Sequence, residues 1–359
     1  MLHWEYSESE LWRFGNDNVS IYHVFSSIAV GNTVLVFAEA RYGDGSDSGC
    51  PHDIVMKRST DGGRSFSESI CLLSFENGGC LCNPSPIYDR DRQRVFLFYA
   101  ENLGNVKTKN YYTFSDDLGV TWSARREITE LFETPFNLSG PGHGICLSSG
   151  KHAGRLMMQF WHRTKGVEVP KNERGYCASF LYSDDHGETW RLHSYVGHHV
   201  MANESRLSEA EGEIVWSLRT KDQYPVVTRS SDGGDTWSTM ERLAVSPAVS
   251  CDIGAVSLPI RHKNEWEDVL LLSRASDVNN RRDMEILISY DGGRRFSETF
   301  SLMKGDAMPG YSDLCVIGEE GTVVGLVHCR NNHVLFSRIS LQALTGGKYD
   351  GTSRSVWLQ

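Results

Sequence analysis

Thiol, imidazole and carboxylate side chains, which are common metal ligands, stand close together at two places in the sequence. These places are Cys50-Pro-His52-Asp53 and Cys80-Leu-Cys82. A structural zinc site combines two ligand pairs at short spacings, and neither segment has a second pair at such a spacing. We therefore predict no metal site here. The nine cysteines follow no framework spacing and are predicted to be reduced, mostly buried thiols.

The composition excludes several classes of protein. The chain has 359 residues, of which 40% are hydrophobic and 23% charged, and this is typical of a globular chain with a core. A formal charge of -10 argues against a nucleic-acid partner, because phosphate binding needs a basic surface. No apolar run is long enough for a membrane helix, and no secretory signal is visible. We expect a cytoplasmic location unless a signal has been removed.

An octapeptide of the form Ser-x-Asp-x-Gly-x-x-Trp/Phe occurs five times, and it defines the elements that must position any functional residue. Its serine, aspartate and glycine suit a tight turn, because Asp accepts bonds from nearby backbone N–H groups and Gly tolerates a positive φ. The terminal aromatic residue is expected to fold back over the turn. The five copies are Ser59–Phe66, Ser115–Trp122, Ser183–Trp190, Ser230–Trp237 and Ser289–Phe296.

Strand-like apolar runs precede the octapeptides and fill the intervals between them. Examples are Thr33–Phe37, Arg94–Phe98 and Met284–Ile288, whereas helical periodicity is nearly absent. Antiparallel units that repeat about every 60 residues are typical of the blades of a β-propeller. The chain length then predicts six blades, with repeats from about residue 20 to 345 in a single domain spanning 1–359. The sixth unit has no octapeptide, as expected where the two chain ends close the ring.

The octapeptides are Asp boxes, and with them the chain resembles the sialidase (neuraminidase) superfamily, whose fold is an all-β, six-bladed propeller. The resemblance extends over nearly the whole chain. Asp boxes also occur in non-enzymatic propellers, so other segments must carry the functional argument. The matching segments, in family order, are Thr33–Ser48, Asn83–Pro86, Gly140–Gly142, Asn203–Ser205 and Tyr311–Leu314.

The resemblance implies three catalytic residues. Asp47 matches the general acid/base, Tyr311 matches the nucleophile, and Glu204 matches the carboxylate that takes the tyrosine's proton. Each residue alone has an ordinary alternative: a packing tyrosine, a loop aspartate or a surface glutamate. Their joint order and spacing among the five boxes favour the functional interpretation.

The resemblance also implies a cluster of substrate-binding residues. Arg219 and Arg281 match two members of an arginine triad that binds the substrate carboxylate, with Arg282 as an alternative to Arg281. Arg41 matches an arginine that lines the pocket, and Glu39 is a supporting residue beside it. We interpret Cys50, His52 and His143 as residues of the pocket rim or of the packing.

The third member of the triad is missing. His23 stands 18 residues before Arg41, where the family has an arginine, and Arg13 lies too early to replace it. His23 is therefore predicted either to weaken substrate binding or to serve a different acid sugar, by contacting a hydroxyl or by binding a carboxylate when protonated. A third interpretation packs His23 against Glu39, away from the ligand.

These residue types suit a sugar with a carboxylate on its anomeric carbon. Planar guanidinium groups bind a carboxylate with two hydrogen bonds, and the same charge would repel an Asp or Glu nucleophile. A neutral tyrosine avoids that repulsion, and sialidases with a tyrosine nucleophile are exceptions to the usual two-carboxylate scheme. The chemistry needs no cofactor.

Two functions follow from the sequence. The first is a retaining exo-glycosidase that releases a terminal sialic acid or a related nonulosonic or octulosonic acid from sialylated or similar acidic glycans. The second is a catalytically weak, sialidase-like propeller that binds such glycans. A binding protein has no need for a tyrosine–glutamate pair, so the sequence favours the enzyme.

Overall fold

The computed structural model describes residues 5–75, 79–164, 175–193, 195–262, 265–307, 310–318 and 323–349. These residues form six antiparallel sheets of four strands, and the third sheet has one additional short strand. In five of the sheets the strands follow one another in sequence order, and the sixth combines strands from both ends of the chain. The first or second strands of neighbouring sheets contact one another around the ring: β2 (Ile21–Val30) contacts both β6 (Leu81–Asp89) and β23 (Ser312–Ile317). The six-bladed propeller predicted from the sequence is confirmed.

Blades one to three occupy the first half of the chain. In each blade the paired strands alternate in direction, and the first and second strands are mostly buried. The remaining strands are β3 (Thr33–Arg41), β4 (His52–Ser59) and β5 (Ile70–Leu73) in blade one, β7 (Arg94–Leu103), β8 (Lys107–Ser115) and β9 (Arg126–Glu127) in blade two, and β10 (Phe136–Ser139), β11 (Ile145–Cys146), β12 (Leu156–Arg163), β13 (Tyr176–Ser183) and β14 (Arg191–Leu192) in blade three.

Blades four to six follow in the same order around the ring. One helix, α1 (Leu341–Leu344), follows the last strand, and its N-terminus is capped by the Ser340 hydroxyl. The strands are β15 (Ser205–Ala210), β16 (Glu213–Leu218), β17 (Val226–Ser230) and β18 (Glu241–Arg242) in blade four, β19 (Gly254–His262), β20 (Glu265–Ala275), β21 (Met284–Ser289) and β22 (Glu298–Ser301) in blade five, and β23, β24 (Val323–Arg330), β25 (His333–Ser340) and β1 (Tyr6–Arg13) in blade six.

Blade six is built from both ends of the chain. β1 is its fourth strand and pairs antiparallel with β25, its third strand. In the other five blades an Asp box forms the turn between the third and fourth strands, but here no turn joins them, which explains why the sixth box is absent. The predicted repeat region began near residue 20, so it missed β1, whose polar sequence gives a weak strand signal.

Each Asp box works as predicted within its own turn. In the fourth box, Asp232 accepts hydrogen bonds from the Ser230 hydroxyl (2.7 Å) and from the backbone N–H and hydroxyl of Thr236 (2.9 and 2.6 Å). The Ser230 hydroxyl in turn accepts from the Gly234 N–H at 2.8 Å. The turn is therefore closed by its own side chains.

The box aromatics pack against the preceding blade instead of covering only their own turns. The Trp190 ring lies 4.9 Å from Phe98 of blade two, and the Phe66 ring lies 5.1 Å from Phe336 of blade six. These contacts add apolar surface to the seams between blades, where the core clusters lie. Within the part of the chain that the structure describes, no helix has the length and apolar character to cross a bilayer.

Candidate active site

One cavity of about 240 Å³ collects all eight residues that the sequence analysis proposed for the site. In an antiparallel blade, the start of the first strand, the end of the second strand and the loop after it share one edge, while the turn from third to fourth strand lies at the opposite edge. The cavity lies on the first of these faces, and the Asp boxes lie on the second. Its proposed residues are His23, Glu39, Arg41, Asp47, Glu204, Arg219, Arg281 and Tyr311.

The centre of the cavity holds a hydrogen-bonded chain of Tyr311, Glu204 and Arg219. Tyr311 and Glu204 directly precede the first strands of blades six and four, and Arg219 directly follows the second strand of blade four. The Tyr311 hydroxyl donates to Glu204 Oε1, and Arg219 Nη1 donates to Glu204 Oε2. Arg219 also donates to the hydroxyl and carbonyl of Ser250, at 3.1 and 3.2 Å. This geometry gives the phenol a proton acceptor whose orientation is fixed.

Tyr311 is a buried, neutral phenol. Burial, together with the negative charge of Glu204, holds its pKa well above the ordinary value of 10.0. The phenolic oxygen can therefore become strongly nucleophilic only as its proton passes to Glu204. Tyr311 is 8% exposed and Glu204 is 6% exposed, so bulk water has little access to this proton transfer.

A second series of paired charged side chains leads from the interior to the mouth of the cavity. It consists of Glu39, Arg41 and Asp47. Arg41 ends β3 and donates to Glu39 at 2.7 Å and to Asp47 Oδ1 at 2.7 Å. Glu39 is fully buried, and its other oxygen accepts from the Asn83 N–H at 2.7 Å. The Asp47 side chain is 81% exposed on the loop between β3 and β4. Asp47 is thus the solvent-exposed member of this group.

A bulge in β2 turns His23 toward the cavity. The pairing with β3 shifts register between His23 and Ser26, and Val24 adopts a φ of 49° that β-branched residues rarely take. The His23 ring lies 4.4 Å from the Tyr311 ring, centroid to centroid, in an edge-to-face arrangement. His23 therefore lines the cavity, opposite Glu39 in the strand register.

His23 is neutral in this environment. Burial, followed by the positive charges of Arg41 and Arg281, holds its pKa well below the ordinary value of 6.5. Its Nδ1 is buried with no hydrogen-bond partner among the described residues. The environment thus opposes a protonated His23 that binds a carboxylate.

Of the two adjacent arginines, Arg281 is the one that lines the cavity. Its guanidinium carbon lies 5.7 Å from the centre of the Tyr311 ring. Gly310, with a φ of 96°, allows this approach, because a Cβ there would lie 2.9 Å from the Arg281 side chain. Arg282 instead forms an isolated backbone bridge with Ala307 and does not line the cavity.

Sequence reasoning missed the wall that blade three contributes to the cavity. No motif marks its residues, because they come from three different strands and meet only through the pairing register. The polar residues that complete the lining also carry no sequence signal, except for Asn83 and Asn203 in the matched segments. The wall consists of Phe136, Leu138, Trp161, Arg163 and Tyr176, and the added polar residues are Asn83, Asn102, Asn105 and Asn203.

A buried ionic cluster near the ring axis was also missed. Arg206 donates to Asp252 at 2.8 Å, and its Nε lies 3.8 Å from Asp313. His143 Nδ1 lies 3.2 Å from Asp313, so His143 belongs to this cluster and not to the pocket rim. Burial raises the pKa of Asp252 to about 8 although Arg206 opposes the change. Gly142 passes over Arg206 so closely that a Cβ would lie 2.5 Å from the guanidinium.

In the cysteine–histidine segments, Cys82 lines the cavity, whereas Cys50, His52 and Cys80 do not. Cys50 Sγ and Cys80 Sγ approach opposite nitrogens of the His52 ring, each at 3.4 Å. The two sulfurs therefore flank the ring and do not converge on one point with a ring nitrogen. All three residues are buried and outside the cavity lining, so they pack beneath Glu39 and do not form its rim. All nine cysteines are free thiols, and eight are buried.

Comparison with known proteins agrees with the fold. The BNR repeat-like domain family matches residues 32–329. A sialidase of Bacteroides fragilis (strain YCH46) is 27% identical over 91% of this chain and 63% of its own length. A sialidase of Micromonospora viridifaciens is 26% identical over 95% of this chain and 55% of its own length. The chain thus spans about 55–63% of the length of these relatives.

A solved structure has the same fold over nearly its whole length. The intramolecular trans-sialidase from Ruminococcus gnavus superposes with a TM-score of 0.80 at 18% identity, covering 94% of this chain and 98% of that chain. At this identity the likeness concerns the fold. Together with the family match, it shows that the chain belongs to the BNR repeat-like domain family within the sialidase superfamily.

Proposed function

We propose that this chain is a retaining exo-glycosidase that releases a terminal sialic acid or a related 2-keto sugar acid from a glycan. The observation that carries the proposal is the hydrogen bond from the Tyr311 hydroxyl to Glu204 in a cavity that also holds Arg219 and Arg281. The names of the relatives support the same class of reaction, because several are called sialidases.

In the first proposed step, the Tyr311 oxygen attacks the anomeric carbon while its proton passes to Glu204. The bond from that carbon to the leaving oxygen breaks, and Asp47 protonates the leaving oxygen. In the second step Asp47 takes a proton from water, the water oxygen displaces Tyr311 from the anomeric carbon, and Glu204 returns the proton to Tyr311. Two displacements give net retention of configuration.

Arg219 and Arg281 are proposed to bind the anomeric carboxylate of the substrate. Arg219 is already held by Glu204 and Ser250, so its guanidinium plane is fixed before the substrate arrives. A fixed guanidinium loses less freedom on binding than a mobile one. Binding the carboxylate would also orient the anomeric carbon toward the Tyr311 oxygen.

The test is hydrolysis of aryl α-ketosides of several 2-keto sugar acids by the wild type and by Tyr311→Phe. The variant removes only the phenolic oxygen, and we expect kcat to fall on the order of 10³-fold or more on the best substrate. Tyr290→Phe is the matched control, because Tyr290 also donates to a glutamate, Glu298 at 2.8 Å, but lies outside the cavity. It should hydrolyse the substrate like the wild type.

The alternative is a glycan-binding propeller with little turnover, which the loss of the third arginine at His23 favours. That alternative predicts saturable binding of acidic glycans with no hydrolysis above the rate of Tyr311→Phe. Turnover by the wild type that depends on Tyr311 would rule it out.

A further inference from the structure

Five side chains of blade three form one continuous wall of the cavity, which we call the blade-three wall. The register places Phe136, Arg163 and Tyr176 in one cross-strand row over β10, β12 and β13. Leu138 and Trp161 form the next row on the same face, because side chains two residues apart point to the same side of a strand. All five line the cavity. The wall therefore faces any sugar bound beside Tyr311.

Arg163 is held in a fixed orientation on this wall. Its guanidinium carbon lies 4.3 Å from the centre of the Phe136 ring and 5.9 Å from that of Trp161. Its Nη1 donates to the carbonyl oxygen of Asn105 at 3.0 Å. Stacking on aromatic rings and one backbone hydrogen bond restrict a planar guanidinium to few orientations.

The charge of Arg163 has no counter-ion in the described part of the chain. No described carboxylate lies within ion-pair distance of it, whereas Arg41 pairs with Glu39 and Asp47, and Arg219 pairs with Glu204. Its Nε is buried without an acceptor among these residues. A guanidinium has five N–H donors, so with respect to the described residues Arg163 keeps unused donors and an uncompensated positive charge.

Trp161 adds an independent observation at the same wall. Trp161 is 8% exposed, and its indole N–H is buried with no acceptor among the described residues. Buried donors without acceptors cost free energy that a ligand acceptor would recover. Around these donors, Phe136, Leu138 and Tyr176 offer apolar surface for the carbon skeleton of a sugar.

We propose that Arg163 is the centre of a second anion-binding subsite, and that the preferred substrate carries a second anionic group in addition to its anomeric carboxylate. This inference rests on the proposed function. Arg219 and Arg281, which are proposed to bind the anomeric carboxylate, belong to blades four and five, and we assign the anion at Arg163 of blade three to a different group of the ligand. A carboxylate would engage two guanidinium donors and neutralise the charge, which a hydroxyl cannot do.

The experiment compares two aryl α-ketosides that differ at one carbon. One is the ketoside of a 2-keto-3-deoxy sugar acid, and the other has its terminal primary alcohol oxidised to a carboxylate. The ratio of kcat/KM for the dianionic over the monoanionic substrate is measured for the wild type, Arg163→Gln and Arg163→Lys. Arg191→Gln is the charge-matched control, because Arg191 lies exposed on β14 of the same blade.

We expect the wild type to prefer the dianionic ketoside by about tenfold or more, as a charge-assisted hydrogen bond implies. Arg163→Gln should lower the ratio to about one or below, and Arg163→Lys should keep part of the preference because it keeps the charge without the planar pair of donors. Arg191→Gln should keep the wild-type ratio. Melting temperatures show whether each variant is folded. If Arg163→Gln does not fold, the ratio of kcat/KM measured for Arg163→Lys provides the test.

Two results would overturn the subsite. One is a wild-type ratio of one or less, and the other is a wild-type preference that Arg163→Gln leaves unchanged. If the wild type hydrolyses the monoanionic ketoside through Tyr311 and shows either result, the subsite fails and the proposed function stands. If neither ketoside is hydrolysed in a Tyr311-dependent way, the proposed function fails and the subsite fails with it.

Discussion

At the scale of single residues, the site separates a buried pair from an exposed acid. Tyr311 and Glu204 are enclosed, so the proton between them moves in a fixed geometry. Asp47 is largely exposed and contacts Arg41 at the mouth. This difference fits the proposed roles, in which Asp47 protonates the leaving group and the buried pair forms the new bond.

The first residue-scale prediction concerns Asp47→Ala. Only a poor leaving group needs its oxygen protonated as the bond breaks, so the loss of kcat/KM should be large for a natural glycoside and small for an aryl ketoside with an acidic phenol. A difference on the order of 10²-fold is expected between the two substrates. Equal losses on both substrates would remove Asp47 from the role of general acid.

The second residue-scale prediction concerns the pH dependence of substrate binding. Burial and the nearby arginines hold the pKa of His23 well below 6.5, so His23 stays neutral at and above pH 6.5. The pH profiles of kcat/KM for the wild type and His23→Gln should therefore have the same shape from about pH 6 to 8. If binding by the wild type tightens as the pH falls and His23→Gln abolishes the change, His23 is protonated and our interpretation is wrong.

The residue-scale predictions from sequence depended on family spacing. Spacing was sufficient to select Tyr311, Glu204 and Asp47 as residues that share one cavity, and their catalytic roles stay predictions. It left Arg281 and Arg282 undecided, because a one-residue difference in a loop cannot be read from a pattern. The state of His23 depends on burial and on charges from distant parts of the chain, which sequence order does not contain.

At the scale of elements, the Asp boxes and the cavity lie at opposite edges of the blades. The boxes join third to fourth strands, whereas the functional residues start first strands, end second strands or follow them. The box aromatics reach the neighbouring blade, as Trp237 does at 5.7 Å from Phe180. Boxes therefore stabilise the turns and seams that hold the site.

The element-scale prediction is a loss of stability without a loss of activity. Asp232→Ala removes three hydrogen bonds from the fourth box and should lower the free energy of unfolding by about 1–3 kcal/mol. Asp222→Ala, at an exposed aspartate of the same blade, is the control and should have little effect. Urea denaturation measures both. Reduced kcat/KM in folded Asp232→Ala with unchanged stability would mean that the box is functional.

Elements were more predictable than the site because their signals are local. Alternating apolar runs and turn residues identified the strands and five turns. The blade-three wall gave no such signal, since Phe136, Arg163 and Tyr176 lie far apart in sequence and become neighbours only through strand register. The β2 bulge was equally hidden, because a single extra residue leaves no compositional trace.

At the scale of the whole molecule, buried histidines link stability to pH. Burial holds the pKa of His23 well below 6.5, lowers that of His162 to about 3 and lowers that of His328 to about 4. In the unfolded chain these histidines gain protons below about pH 6.5. At these three histidines the unfolded state thus binds more protons than the folded state, so their contribution to stability falls as the pH drops from that point toward the folded-state pKa values. The buried carboxyl of Asp252, whose pKa is raised in the folded state, offsets the contribution of about one histidine.

The whole-molecule prediction is a loss of about 1.4 kcal/mol per buried histidine for each pH unit below about 6.5. The free energy of unfolding, measured by urea denaturation between about pH 7 and 5, should therefore fall steeply. His328→Gln removes one titrating group. It should reduce the slope of the free energy of unfolding against pH by about 1.4 kcal/mol per pH unit, whatever the effect of the substitution on stability at neutral pH. Stability that stays constant over this range would contradict the buried, neutral state of these rings.

The most direct test of the central claim is a covalent trap. A 2,3-difluoro acid-sugar substrate analogue slows the second displacement, so a retaining enzyme with a tyrosine nucleophile accumulates the sugar on that tyrosine. Intact and peptide mass spectrometry should find one sugar on Tyr311 in the wild type and in Tyr290→Phe, and none in Tyr311→Phe. A sugar attached to another residue, or labelling that persists in Tyr311→Phe, would contradict the account.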